Sequence, residues 1–141
     1  MALLLLSCDD TQGEGREASE RVATKWGEAY FNYDFERAAK YATPESRKWL
    51  AFAASNVYQA DVDLLREQEQ GASVSVDDYQ ATSDTSCVVS LEVDNFLLRD
   101  SIGKAGHIVS GCRFSIPLVR REGRLMVKME GLPRSEKRSR D

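Results

Sequence analysis

The sequence predicts an α+β domain, with helices packed on one face of an antiparallel sheet. Two patterns and one break carry that expectation. Apolar residues recur at helical spacing through the first half of the chain, and they alternate at strand spacing through the second. Gly71 stands where one pattern gives way to the other.

The helices come first. Ala18, Val22, Trp26, Ala29, Tyr30 and Tyr33 form one apolar stripe, with Ser19 as a candidate cap or the helix starting slightly earlier. Asn32-Tyr33-Asp34 interrupts it, and Asp34 is placed to cap a short second helix bearing Phe35, Ala38, Ala39 and Ala42. Thr43-Pro44-Glu45 is a start signal: a capping residue, a proline at the first helical position and an acid at the positive end of the dipole. The third helix is expected to bury Trp49, Leu50, Ala53, Ala54 and Val57, and to continue after a break through Val62 and Leu65.

The strands follow. Val74 and Val76 alternate with serines, and Cys87, Val89, Leu91 and Val93 alternate with Val88, Ser90, Glu92 and Asp94, as in a strand with one wet face. Arg99 to Gly106 reads as a turn. Ile108, Cys112, Phe114, Ile116 and Leu118 share a face over one long strand. Glu122-Gly123 suits a tight turn into a last strand with Leu125, Val127 and Met129. Three helices and about four strands result.

The totals bound the function. The chain has 141 residues, 42% hydrophobic and 30% charged, which suits one folded domain with one core. A net charge of -4 supplies no general basic field for nucleic acid. Nothing approaches the roughly 18 apolar residues of a spanning helix.

Met1 to Cys8 has a different character. A secretory signal has a basic front, an apolar middle and a small-residue cleavage site. Here a short leucine run reads as the back end of such a signal. Leu5-Leu6-Ser7-Cys8 resembles the bacterial lipobox, which implies diacylglycerol on the Cys8 thiol and cleavage before it. Residues 9–19 are almost wholly polar, as a solvated tether should be. Acyl chains contribute roughly 0.8 kcal/mol per buried methylene, so several of them anchor stably. Asp9-Asp10 resembles the acidic signals that send some lipoproteins to the outer membrane or cell surface. The expected organisation is a signal remnant over residues 1–7, a tether over 8–17, the domain over 18–132 and a loose basic tail over 133–141. In the tail, Arg134, Lys137, Arg138 and Arg140 are candidates for anionic headgroups.

Within the domain, Ala29-Tyr30-Phe31-Asn32-Tyr33-Asp34-Phe35-Glu36-Arg37-Ala38-Ala39 and the Thr43-Pro44 start resemble the opening of small nuclear-transport-factor-2-like (NTF2-like, or cystatin-like) lipoproteins. In that family a helix ends in an aromatic, a short D-F-x-x-A helix follows, and a Thr-Pro-capped helix precedes a curved sheet. The resemblance implies a cone whose helices and bent sheet enclose a pocket. It leaves activity open, because relatives include isomerases, dehydratases, binding proteins and interaction domains.

Trp26, Tyr30, Tyr33, Trp49, Phe52, Phe96 and Phe114 are the candidates for lining such a pocket; the same spacing also suits plain core. Relatives that transfer protons hold an acid or a tyrosine in the cavity, which points to Asp34, Tyr30 and Tyr33, with capping the competing duty of Asp34. His107 is the one histidine. It lies about 17 Å along a strand from Cys112, on the opposite face, so a Cys–His pair is not expected. With Cys8 lipidated, Cys87 and Cys112 remain as a candidate disulfide. Their register places Cys87 opposite Leu118, which favours two free thiols. Asp61/Asp63 and Asp77-Asp78 suit turns and caps, and no metal or cofactor motif is present. The expected function is a membrane-anchored, non-enzymatic domain of the cell envelope that binds a small apolar ligand or an envelope protein. The alternatives are an isomerase- or dehydratase-type enzyme and a structural subunit.

Overall fold

The computed structural model describes residues 2–98 and 107–136, with side chains from residue 15 onward. The Cys8 side chain, the turn over residues 99–106, and Lys137, Arg138 and Arg140 lie outside the described residues. Four helices, α1 (Ala2–Tyr30), α2 (Phe35–Ala39), α3 (Arg47–Ser55) and α4 (Gln59–Glu67), precede six strands: β1 (Ser73–Ala81), β2 (Ser86–Asp94), β3 (Phe96–Leu98), β4 (His107–Val109), β5 (Cys112–Arg121) and β6 (Arg124–Val127). The main sheet is antiparallel in the order β1-β2-β5-β6, and β3 pairs with β4 beside it.

α1 buries Ala23, Trp26 and Ala29 against the sheet, as their spacing demands. Its helical backbone begins well before the apolar stripe and runs through residues 8–17. Ser19 is therefore not a cap. Its hydroxyl donates to the Gly15 carbonyl at 2.7 Å, one turn back. Gly27 sets the approach of helix to sheet, since a Cβ there would stand 2.9 Å from Leu91 Cδ1. The helix stops in a Schellman motif: Asp34 N–H donates to Ala29 O, and Tyr33 N–H to Tyr30 O. Tyr33 takes the left-handed position at φ 64, so it leaves the helical stripe that its spacing suggested. Asp34 then caps α2 by accepting from Arg37 N–H at 3.1 Å.

Thr43 and Pro44 open a single 3-10 turn, Pro44–Ser46, before α3. The Thr43 hydroxyl makes no bond to the helix backbone; it meets Ser46 Oγ at 2.7 Å in a fully buried site. Ser46 Oγ in turn accepts from Met129 N–H at 2.8 Å. This hydroxyl pair joins the start of α3 to the chain leaving β6. α3 buries Leu50 and Ala53, while Ala54 is exposed and Val57 only half-buried, because the break before α4 turns the chain away from the core. Asp61, fully buried, closes a capping box with Tyr58 N–H at 3.0 Å.

In the sheet, Val89, Leu91, Val93, Phe114, Ile116 and Leu118 fill the inner face. Asp77-Asp78, expected at a turn, instead falls inside β1 at a bulge between Val76 and Asp78. Charge and a bulge there protect an edge strand from pairing with another chain. The long strand expected through Ile108 and Cys112 is broken at Ser110-Gly111 into β4 and β5, since Gly111 turns at φ 74. Glu122 and Gly123, both at positive φ, close the β5–β6 hairpin. Cys87 faces Leu118, and Cys112 faces Val93. The bridge weighed between them is not formed, and both thiols are free, because the register holds them about 20 Å apart at ~3.3 Å per residue.

Candidate functional site

A cleft of about 1030 Å³ opens between α3, the end of α1 and the segment that leaves β6. All seven aromatic candidates, Trp26, Tyr30, Tyr33, Trp49, Phe52, Phe96 and Phe114, line it. They divide into two layers.

The floor is closed. Trp26 is 0% exposed, and Phe31, Phe114, Ile116 and Val127 are nearly as deep. Phe31, Phe96 and Phe114 interlock with centroids 4.6 to 5.7 Å apart. The space that a cone would offer between helices and sheet is thus filled at its base. Trp26 lies flat on Tyr30, with centroids 4.7 Å apart and planes 10° apart. Its indole Nε1–H is buried and has no hydrogen-bond partner among the described residues.

The rim is accessible. Phe52 is 49% exposed, Tyr33 and Trp49 are half-buried, and Lys48 Nζ lies 5.4 Å from the Trp49 ring centroid. The Tyr33 hydroxyl donates to the Leu97 carbonyl at 2.9 Å. That bond and the aromatic packing of Tyr33 hold a non-glycine residue in a left-handed conformation beside the cleft.

The far wall is the segment from Met129 to Glu136. It is fastened at both ends. Met129 N–H donates to Ser46 Oγ, and Glu136 N–H donates to the Arg113 carbonyl at 2.8 Å. Ser115 Oγ meets Glu136 Oε2 at 2.7 Å. Arg113 Nε lies 3.7 Å from Glu136 Oε1 and 3.1 Å from Asp77 Oδ2, an ion pair without hydrogen-bond alignment. Sequence reasoning missed this wall and Phe31. The one signal for the wall was the apolar run Met129, Leu132 and Pro133 beyond the last strand.

The charged groups of the cleft, Glu130, Arg134 and Glu136, stand exposed at its mouth. The floor holds no carboxylate, histidine or lysine among the described residues. Asp34 is occupied as a cap outside the cleft, and His107 is exposed on β4. The pronounced pKa shift lies elsewhere: a bond from the Arg121 guanidinium holds the Glu45 carboxyl down to about 2. Among the described residues no group of three or more His, Cys, Asp or Glu could hold a metal ion, and no helix is long and apolar enough to cross a membrane.

The element order and the sheet around this cleft match solved structures. A protein from Novosphingobium aromaticivorans, provisionally assigned as an aromatic ring hydroxylase, superposes at a TM-score of 0.54 with 12% identity, over 87% of this chain and 94% of that one. An NTF2-like protein of unknown function from Shewanella oneidensis superposes at 0.52 with 11% identity, over 83% and 94%. The fold is NTF2-like. An NTF2-like protein involved in plasmid conjugation gives a TM-score of 0.41 with 13% identity, over 92% of this chain and 49% of that one. No protein-family model matches the chain, and no curated protein matches it. At these identities the likeness concerns the NTF2-like fold, so the chemistry of the cleft must be argued from its own residues.

Proposed function

We propose that the chain is a lipid-anchored binding protein of the cell envelope, whose aromatic cleft takes a small apolar molecule without transforming it. The cleft carries this reading. It has the size and largely aromatic lining of a small-molecule site, with its charged groups at the mouth and one buried donor at the base. A proton-transfer enzyme needs an acid or base against the bound molecule. The described floor presents aromatic and aliphatic side chains there, and the Tyr33 hydroxyl is committed to Leu97.

The anchor rests on Leu5-Leu6-Ser7-Cys8 and the acidic pair that follows it. Acyl chains on Cys8 would hold the domain at the membrane surface, which agrees with a cleft that collects sparingly soluble molecules.

Each half has its own test. Replacing Cys8 with alanine should move the protein from the membrane to the soluble fraction on cell fractionation; unchanged membrane association overturns the anchor. Titration with 1-anilinonaphthalene-8-sulfonate should give saturable fluorescence at one site, weakened several-fold by Phe52→Ala. Unsaturable fluorescence that ignores Phe52 overturns the cleft.

A further inference from the structure

We infer that the Trp26 indole N–H is the anchoring donor of the cleft, and that its ligand is a planar, uncharged molecule bearing a carbonyl-type oxygen. This rests on the ligand-binding reading above and deepens it.

An indole N–H can only donate. Buried tryptophans ordinarily find a partner, because a desolvated donor left alone costs free energy. Trp26 is 0% exposed, and its Nε1 has none. Tyr30 stacks on the indole face and Phe31 meets the indole nearly at right angles, with centroids 6.0 Å apart, and neither ring supplies an acceptor to the N–H. An acceptor oxygen on the ligand would supply what the protein lacks.

The floor sets the remaining chemistry. No charged side chain lies beside Trp26, Phe31 and Phe114 among the described residues, so an ionic ligand would be buried there uncompensated. Aromatic walls favour a flat partner, which stacks offset or edge-on.

Trp26 is reached when the far wall yields. That wall is tied at Met129 and Glu136, while Glu130 to Ser135 make no hydrogen bond among the described residues. Gly131, at φ 153, lies within that untied stretch. Between its two ties the wall is held by packing, with Leu132 against the core, and in the proposed binding it moves outward to admit the ligand.

The test is fluorescence titration of the full-length protein with two probes of matched shape. 2-Acetylnaphthalene has the carbonyl and 2-ethylnaphthalene lacks it. The native protein should bind the acetyl probe about tenfold more tightly, the value of one buried hydrogen bond. Trp26→Phe keeps an aromatic ring, though a smaller one, and removes the N–H, so it should bind both alike. Equal affinity in the native protein, or a preference that survives in Trp26→Phe, overturns the inference and leaves the binding reading standing. Failure of both probes to bind overturns the reading itself. Should Trp26→Phe not fold, the indole N–H resonance of native Trp26, assigned with a Trp49→Phe variant, decides. It should move downfield with the acetyl probe alone, and an unmoved resonance overturns the inference.

Discussion

Phe114 and Phe52 border the same cleft, yet one is 1% exposed and the other 49%. Phe114 belongs to a floor where Phe31 and Phe96 hold it from two sides, and where the inner face of the sheet leaves no slack. Phe52 stands on the outer face of α3 with one side in water. The difference separates two duties of one residue type. Floor aromatics hold the fold together, and rim aromatics are free to meet a ligand. A stability measurement and a binding measurement should therefore rank Phe114 and Phe52 in opposite orders.

The largest effect is expected at the floor. Phe114→Ala should destabilise the domain by about 3–5 kcal/mol, through lost burial and the cavity left behind. Urea denaturation reads it, and a loss below 1 kcal/mol would erase the distinction between layers. Ser46→Ala comes next. It strands the buried Met129 N–H and the Thr43 hydroxyl, so it should cost about 1–3 kcal/mol in the same assay and loosen the near end of the far wall. Phe52→Ala inverts the pattern: stability should stay within about 0.5 kcal/mol, while probe affinity falls several-fold. A large loss of stability there would make Phe52 part of the core.

The smallest effect lies away from both layers, at the Glu45–Arg121 pair. The Glu45 carboxyl is held at about 2, below its ordinary 4.5. A depressed carboxylate contributes stability that is present above pH 4.5 and lost as pH falls toward 2. Both side chains are well exposed, so solvent screening keeps the contribution slight. Glu45→Gln should flatten the acid limb of a stability–pH curve between those values and change little near neutrality.

Much of the scaffold was legible because local rules sufficed. The Asp34 cap, the α1 stripe, the alternation in β2 and the Glu122-Gly123 turn each depend on residues within a few positions of one another. Parity along the strands also placed Cys87 opposite Leu118. Ser19 looked like a cap, but α1 begins well before it and its hydroxyl turns back to the Gly15 carbonyl; Thr43 does hold the cap position before Pro44, but its hydroxyl meets Ser46 instead of the helix backbone. Asp77 looked like a turn residue, and a bulge in an edge strand with Arg113 across the sheet gave it another place.

Residue type and spacing alone determined that helices would precede an antiparallel sheet, and offered seven aromatics, Phe31 not among them, as candidates to gather between them. Both follow from periodicity, a property of neighbours in the chain. Only the folded molecule decided which of those aromatics are floor and which are rim. It also decided that residues 129–136 return to wall the cleft, and that Trp26 lacks a partner. Those outcomes depend on groups far apart in the chain, 83 residues for Ser46 with Met129 and 23 for Arg113 with Glu136, and no local pattern encodes which of them will meet.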